Sequence, residues 1–252
     1  MVILSIVLIV SVVLILFFVI SAFITKKRIS KEFRHGNVIV FGKKGKGKDL
    51  LFQTIILDQK KEYYSNITYG YKYNHIDLKE LELGKNTFHN FINGNVEKVD
   101  PSNYPFENKD IYISEGGIFL PSQYDTTLHK IYPSLPISYA LSRHLWNNNI
   151  HYNSQSLERA WKALREQADY FVMCRGVIKL PFFLVIKTRE FDKYETAKAN
   201  ILPMKRLLFN NFDKALIAQH NATYGLIRDG FVFIRRSAIR YDTRYFKKLI
   251  FK

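Results

Sequence analysis

A glycine-rich loop between an apolar strand and an apolar helix restricts the fold of this chain more than any other segment. Residues 37–41 are a short apolar run typical of a buried strand, and residues 50–57 have the length and apolar face of a helix. The loop between them reads Gly-Lys-Lys-Gly-Lys-Gly-Lys-Asp and keeps the glycine and lysine spacing of a Walker A motif. Strand, glycine loop and helix in this order predict a parallel α/β unit around a phosphate-binding loop.

The chemistry of such a loop follows from its residue types. Glycines let the backbone curl so that its N–H groups face phosphate oxygens, and the following helix adds the partial positive charge of its N-terminus. Lys48 is expected to reach the β- and γ-phosphates of a nucleotide, taken to be ATP with Mg²⁺. A basic glycine loop without this function is the alternative. The candidate nucleotide-binding residues are Gly42, Lys43, Lys44, Gly45, Lys46, Gly47, Lys48 and Asp49.

The last position of the motif departs from the pattern, because Asp49 stands where a Ser or Thr hydroxyl would bind magnesium. A second predicted strand, residues 110–113, is followed by Ser114 and Glu115, where P-loop enzymes place a magnesium-binding acid and a Glu that polarises water. We therefore hypothesise a reciprocal exchange, in which Asp49 supplies the carboxylate and Ser114 the hydroxyl for Mg²⁺. Glu115 is the candidate catalytic base. The competing interpretation is a degenerate site that hydrolyses nucleotide slowly or not at all.

The N-terminus predicts a transmembrane helix. Residues 2–25 contain no charged residue, and a bilayer core requires about 20 apolar residues in a helix. A cleaved signal peptide is disfavoured, because no basic residue precedes the run and the run is too long. Five basic residues follow within residues 26–34, so the positive-inside rule places the N-terminus outside and residues 26–252 in the cytoplasm.

Composition bounds the remaining possibilities. The 252 residues carry a formal net charge of +16, which predicts an anionic partner such as nucleic acid or the inner leaflet, or else a basic surface kept for solubility. Residues 201–252 contain eleven Lys or Arg and three Asp, so this segment is the candidate contact for DNA or lipid. The single cysteine, Cys174, excludes an internal disulfide framework and a Cys-rich zinc site.

The rest of the chain divides into four segments. They are a transmembrane helix (1–25), a basic juxtamembrane linker (26–35), a P-loop domain (36–200) and a basic C-terminal segment (201–252) that is either separate or part of the same domain. Two apolar runs, 170–173 and 182–186, predict an antiparallel hairpin that closes the sheet. Residues 76–108 are polar and predict an insertion with little regular structure.

Several further motifs resemble, in order and spacing, the zonular occludens toxin (Zot) family, the assembly NTPases of filamentous phages. The resemblance covers about residues 36 to 246 and departs from the family at Asp49 and Ser114. The membrane helix also precedes the NTPase domain here, whereas the best-known members carry it afterwards. Beyond the glycine loop, the motifs are Tyr64-Ser65-Asn66-Ile67, Ser142-Arg143-His144, Asn153-Ser154-Gln155, Arg165 with Asp169-Tyr170-Phe171, and Tyr241-Asp242-Thr243-Arg244.

This resemblance implies an α/β P-loop NTPase with a central, mostly parallel sheet and a C-terminal β-hairpin, preceded by one transmembrane helix. It implies an ATPase in the host inner membrane that assembles and exports a virion with single-stranded DNA. The implied partners are further copies of the chain, phage coat or other assembly proteins, and single-stranded DNA.

Three further residues receive candidate roles beside plainer ones. Gln155 is a candidate sensor of the γ-phosphate or else a solvated loop residue. Arg143 is a candidate arginine finger for a neighbouring subunit, with Arg159 and Arg165 as rivals, or else a surface ion-pair partner. Two other functions stay open: a DNA-translocating motor of the FtsK/HerA kind, and a non-hydrolysing membrane scaffold.

Overall fold

The computed structural model describes residues 2–69, 72–82, 93, 106–202 and 214–239. Its strands are β1 (Val38–Phe41), β2 (Tyr63–Ser65), β3 (Tyr73–His75), β4 (Asp110–Ile113), β5 (Ile150–Ser154), β6 (Tyr170–Lys179), β7 (Phe183–Phe191) and β8 (Ile227–Arg235). Its α-helices are α1 (Val2–His35), α2 (Lys48–Gln59), α3 (Gly116–Phe119), α4 (Asp125–Ile131), α5 (Leu135–Trp146), α6 (Lys162–Arg165), α7 (Tyr194–Ala199) and α8 (Lys214–Tyr224). Short 3₁₀ turns cover Leu78–Leu81, Ser122–Tyr124 and Arg236–Ala238.

These strands form one sheet in the order β3-β2-β4-β5-β1-β6-β7-β8. The first six in this order run parallel, with β1 between β5 and β6. Both β7 and β8 are antiparallel to their neighbours. The predicted mostly parallel sheet, with a hairpin formed by β6 and β7, is therefore confirmed. The structure adds a third antiparallel strand, β8, which the basic segment 201–252 contributes to the same sheet.

Two hydrophobic layers enclose this sheet, one on each face, and alternate residues of β1 point into each of them. Val38 and Val40 pack on the side of α1 and α2, whereas Ile39 and Phe41 pack on the side of α4 and α5. All four residues of β1 are buried. A strand that is covered on both faces reads as a continuous apolar run, which is why residues 37–41 could be identified from sequence.

Helix α1 does not end where the apolar run ends. Residues 26–35, interpreted from the sequence as a juxtamembrane linker, are the last turns of the same helix. Ile29 and Phe33 on these turns are fully buried against the sheet. Arg28 makes two charge-assisted hydrogen bonds to the buried carboxylate of Glu190, one of them from Nε to Oε2 at 2.8 Å. Within the described residues, α1 is the one helix long and apolar enough to cross a membrane.

Asn37 connects the end of α1 to three other elements at the start of β1. Its backbone N–H donates to Oδ2 of Asp169 at 2.7 Å, and its Nδ2 donates to the carbonyl of Tyr139 at 2.7 Å. Its Oδ1 accepts the N–H of Ile150 at 2.9 Å. The side chain and backbone N–H of this one residue therefore fix where β1 begins relative to α5, β5 and the start of β6, and thereby where the following loop emerges.

Some sequence predictions lie outside the described residues. These are most of the predicted insertion (83–92 and 94–105), the Tyr241–Arg244 motif, and residues 203–213 and 240–252 of the basic segment. The described part of the insertion includes the 3₁₀ turn at Leu78–Leu81, where Asp77 and Glu80 form a capping box and both leucines are buried.

His151 lies inside the layer beneath α1. Its ring is fully buried, with its centroid 4.5 Å from that of Phe33 and 4.8 Å from that of Tyr112. Burial lowers the pKa of His151 from 6.5 to about 3. The imidazole is therefore neutral in the folded protein at physiological pH, as a packing histidine would be.

This burial predicts acid sensitivity. Between its unfolded and folded pKa, His151 takes up a proton only in the unfolded chain, so stability is lost as the pH falls below about 6.5. For this group the loss between about pH 7 and pH 5 is about 2 kcal/mol. We expect His151→Phe to reduce the drop in thermal midpoint between these two pH values. The exposed His144→Phe is the matched control, and an equal drop in wild type and His151→Phe would contradict the assignment.

Candidate nucleotide site

The loop after β1 follows a path that only glycine permits at two positions. Gly42 has φ of 147°, and a Cβ there would lie 2.3 Å from the carbonyl oxygen of Cys174. Gly47 has φ of 94°, and a Cβ there would lie 2.8 Å from Cγ2 of Val177. Such distances are far below van der Waals contact, so the glycines let the loop lie directly against β6.

The same loop is tied to its surroundings at both ends. The N–H of Gly42 donates to the carbonyl of Ser154 at 3.2 Å, and the N–H of Leu51 donates to Gly47 at 2.9 Å as α2 begins. Lys48 is the first residue of α2 and is 3% exposed, whereas Lys43 and Lys44 are exposed. Within the described residues Lys48 makes no ion pair. The loop thus has the glycine path and buried lysine of a phosphate-binding loop.

The thiol of Cys174, next to the loop, is unreactive. Cys174 lies on β6 beside the loop and is buried. Burial raises the pKa of the Cys174 thiol to about 12, a shift that nearby Lys48 partly opposes. The thiol is therefore protonated at neutral pH, and a nucleophilic role for it is excluded.

The two residues at the departures from the family pattern are in direct contact. Oγ of Ser114 donates to Oδ1 of Asp49 at 2.7 Å. The same Oδ1 accepts Nδ2 of Asn153 at 2.7 Å and the hydroxyl of Tyr69 at 3.2 Å. Asp49 also lies in the first turn of α2, where the helix dipole favours a negative charge. The structure therefore brings together the carboxylate and the hydroxyl that the exchange hypothesis requires.

Two asparagines that received no role from the sequence hold this pair in place. Asn66 brackets the backbone of Ser114, since its Oδ1 accepts the Ser114 N–H at 2.8 Å and its Nδ2 donates to the Ser114 carbonyl at 2.9 Å. Asn153 accepts the N–H of Glu115 at 2.6 Å while it donates to Asp49. The available signal was their position, because each lies in or just after a short strand at the carboxyl edge of the sheet.

Glu115 has an unusual backbone and an unsatisfied carboxylate. Its φ of 49° places a non-glycine residue in the left-handed region, at the N-cap of α3. Its Oε2 is buried without a hydrogen-bond partner among the described residues. Gly116 follows because a Cβ there would lie 2.0 Å from the ring of Tyr152. The strained turn directs the chain under β5, and one carboxylate oxygen of Glu115 is left without a partner among the described residues.

Gln155 lies at the end of β5, next to the loop. The Gly42 N–H bonds to the preceding residue, Ser154, and Oε1 of Gln155 accepts Nη1 of Arg159 at 3.3 Å. Arg159 is exposed and lines an open cavity of about 270 Å³ with Gly117. Gln155 and Arg159 thus flank the turn that carries Glu115, as a residue offered to a neighbouring subunit would need to do.

The other two arginine candidates lie elsewhere. Arg143 contacts the carbonyl of His35 and the carboxylate of Asp169, at the amino edge of β1 and opposite the glycine loop. Arg165 donates to the carbonyls of Leu157 and Glu158. The structure does not bring Arg143 to the loop of its own chain, because it lies on the last turn of α5, which ends at the far side of the sheet. An arginine finger at position 143 stays a prediction for an assembly of several chains.

Comparison with known proteins gives similarities of fold. No protein-family model and no curated protein matches the chain. The genome packaging NTPase B204 from Sulfolobus turreted icosahedral virus 2, in complex with sulfate, is 13% identical, with 78% of this chain and 96% of that chain covered and a TM-score of 0.38. The N-terminal domain of zonular occludens toxin from Neisseria meningitidis is 9% identical, with 80% and 96% covered and a TM-score of 0.41. The family that the sequence motifs resemble is therefore among the similar folds.

A third similar structure is EssC (ATPases 2 and 3) from Geobacillus thermodenitrificans. It is 14% identical, with 55% of this chain and 32% of that chain covered and a TM-score of 0.30. At identities and TM-scores this low, these similarities carry no argument about function, which has to be argued from the site.

The contact between Asp49 and Ser114 predicts the outcome of exchanging them. Ser114→Asp alone places two carboxylates side by side, and two unit charges about 4 Å apart repel by about 4 kcal/mol at an effective dielectric constant of about 20. Asp49→Ser alone removes the carboxylate to which Ser114, Asn153 and Tyr69 donate. We expect the double exchange to recover thermal stability and magnesium-dependent nucleotide affinity relative to both single variants.

The control for this exchange is Asp49→Asn, which keeps an acceptor oxygen but removes the charge. It is expected to retain the fold and lose the magnesium dependence of nucleotide binding. If both single variants and the double variant are equally impaired in stability and affinity, the two positions are not interchangeable and the exchange hypothesis is wrong.

Proposed function

We propose that this chain is an ATPase, anchored in a host cytoplasmic membrane by α1, that assembles and exports a filamentous phage virion with single-stranded DNA. The proposal of ATP hydrolysis rests on a group of residues at the carboxyl edge of the sheet. A glycine loop with buried Lys48 lies beside the hydrogen-bonded Asp49 and Ser114. Glu115, the residue after Ser114, has a buried carboxylate oxygen without a hydrogen-bond partner among the described residues.

Nucleotide binding is assigned to the loop and to Lys48. Gly42 and Gly47 permit the curled backbone, and the N-terminus of the twelve-residue helix α2 faces the same region. The ammonium of Lys48 adds a charge that within the described residues has no ion-pair partner. These features favour a polyphosphate ligand over an uncharged one.

The residues present fit a magnesium ion that arrives with the nucleotide. Asp49 and Ser114 offer a carboxylate and a hydroxyl, which are hard oxygen ligands of the kind Mg²⁺ prefers. The hydrogen bonds that Tyr69, Ser114 and Asn153 donate to Asp49 all end on Oδ1. None of these three bonds occupies Oδ2. Bound Mg²⁺ would offset the repulsion between this carboxylate and the phosphates.

Glu115 is assigned the role of general base. A buried carboxylate oxygen without a partner can accept a hydrogen bond from the attacking water and then take its proton. Oδ1 of Asn153 accepts the backbone N–H of Glu115. This bond fixes the backbone that carries the carboxylate. Gln155, at the end of the adjacent strand, is proposed to sense the γ-phosphate.

Membrane anchoring is proposed from α1. Its apolar residues 5–17 are exposed along their whole length, as expected of a helix that faces lipid. The basic residues that follow the apolar run favour a cytoplasmic position for the sheet domain and an external N-terminus. Export of a virion requires such a site of action, and the Zot-like motifs support this role over other uses of a membrane-bound ATPase.

Assembly into a ring or cluster is proposed from the exposed arginine beside the site. Arg159 borders the turn that carries Glu115 and is available to a second chain, whereas Arg143 would have to act from the opposite edge. Coat or other assembly proteins and single-stranded DNA are the proposed cargo and partners.

A non-hydrolysing scaffold is the second candidate, because an acid occupies the position of the magnesium-binding hydroxyl. Three donors hold that acid, which is compatible with a fixed structural role. A DNA-translocating motor is the third, and stimulation of hydrolysis by DNA without any assembly partner would favour it.

The deciding experiment measures magnesium-dependent ATP hydrolysis by the full chain in anionic vesicles. Lys48→Ala is expected to abolish nucleotide binding. Glu115→Gln is expected to keep nucleotide binding and to lower the hydrolysis rate by about 10²-fold or more, since it removes the base.

Each matched control makes the same substitution at an exposed residue of the same type outside the site. Lys162→Ala is the control for Lys48→Ala, and Glu158→Gln is the control for Glu115→Gln. Retained nucleotide binding with no hydrolysis in the wild-type chain would reject the ATPase and favour the scaffold. Hydrolysis that survives Glu115→Gln would reject the assigned base.

A further inference from the structure

The turn between β6 and β7 carries an exposed apolar cluster, which we call the hairpin tip (residues 178–183). Phe182 is 78% exposed, and Ile178, Leu180 and Phe183 are between 37% and 40% exposed. Burying a single phenylalanine or leucine side chain is worth about 1.5–3 kcal/mol. Four such residues together at the end of a hairpin indicate an interaction surface.

The path of α1 shows what this surface faces. Going backward along α1, Arg28 bonds to Glu190, Thr25 lies against Gly230, and Phe18 contacts Phe231 and Phe233 with ring centroids 4.7 and 5.3 Å away. The helix therefore runs alongside β8 toward the end of the sheet that holds the hairpin tip.

Phe18 belongs to the charge-free run of α1, not to its basic end. Lys26, the first charged residue, follows eight positions later, which is about 12 Å along a helix. Phe183, at the hairpin tip, lies 6.3 Å from Phe233, which itself contacts Phe18. The hairpin tip is therefore level with a part of α1 that is well inside its apolar run.

The charges around the hairpin tip suit the surface of an anionic bilayer. Lys179 belongs to the tip, and Arg235 and Arg236 lie next to it, because Phe183 pairs with Arg235 and the Arg236 N–H donates to Phe182 at 3.1 Å. All three are exposed, and residues 178–184 and 235–238 contain no acid. Aromatic residues flanked by cations are typical of segments at a membrane interface.

A cavity of about 440 Å³ continues the apolar surface between α1 and the end of the sheet. Val19, Ala22 and Phe23 line it from the helix, and Phe183 and Phe233 line it from the strands. Lys26, ion-paired with Asp58 at 2.8 Å, stands at the same cavity. An apolar groove with a cation at its margin, beside a lipid-facing helix, suits an acyl chain below an anionic headgroup.

We propose that the hairpin tip inserts into the bilayer beside α1 and forms a second membrane contact. This inference rests on the proposed membrane anchoring. It goes beyond that proposal because it gives the sheet domain a defined depth and orientation. Gly47 of the nucleotide loop lies against Val177, since a Cβ at Gly47 would be 2.8 Å from Cγ2 of Val177. Val177 immediately precedes the hairpin tip, so the site would lie close to the membrane surface.

The test places a fluorescent reporter at the tip of the full chain in vesicles. Phe182→Trp is a conservative change at an exposed position, and the native Trp146 and Trp161 are buried and supply a constant background. The matched control is His144→Trp, an exposed position on α5 at the opposite edge of the sheet. Vesicles contain anionic phospholipid with brominated acyl chains, which quench tryptophan on contact.

We expect the tryptophan at position 182 to emit at shorter wavelength than the one at 144 and to lose most of its intensity in brominated vesicles. Flotation of the same samples tests the anchor independently. Protein that floats with the vesicles but shows equal, unquenched emission at both positions keeps the anchor and overturns the insertion. Shielding of position 182 from both bromine and aqueous acrylamide would indicate a protein contact and would also overturn it. Failure to float would reject the anchor itself.

Discussion

An ion pair between partly buried Arg28 and fully buried Glu190 determines how the sheet domain is arranged around its apolar helix. Glu190 is fully buried, and besides Arg28 it accepts the hydroxyl of Tyr170 at 2.9 Å. The hydrogen bond that Arg28 donates to Glu190 raises the pKa of Arg28. Removing one partner of such a pair typically costs about 3–5 kcal/mol, because the other charge is left buried and unpaired. The helix therefore cannot swing away from β7 and β8, and every position on the domain has a fixed height relative to the apolar run.

At the other end of the strands, the candidate site brings a carboxylate and a hydroxyl into contact at the two positions where the sequence departs from the usual P-loop pattern. The hydrogen bond from Ser114 to Asp49 supports the proposed exchange of their roles, because either group can stand at either end of a 2.7 Å contact. Asn66 and Asn153 hold the backbone on which the contact depends. These amides position Ser114 and Glu115 without adding charge near the proposed phosphate site.

Much of this architecture could be predicted from sequence, and the failures have physical causes. Buried parallel strands and the glycine loop leave local signals, so β1, β4 and the β6–β7 hairpin were predictable. Residues 26–35 resembled a linker because their charges are visible in sequence, whereas the partners Asp58 and Glu190 are distant along the chain. The strand β8 was hidden in a basic segment, since only one of its faces is buried. Arg143 was assigned to the site by its motif, but only the direction of α5 reveals which edge of the sheet it reaches.

The unbroken course of α1 has a mechanical consequence. From Val2 to His35 the helix contains neither proline nor glycine, and its second half is packed on the sheet that carries the nucleotide loop. Such a rod has no hinge at the point where it leaves the domain. In the proposed ATPase, a force generated at the carboxyl edge of the strands would therefore reach the apolar half of α1 as tilt or translation of the whole rod.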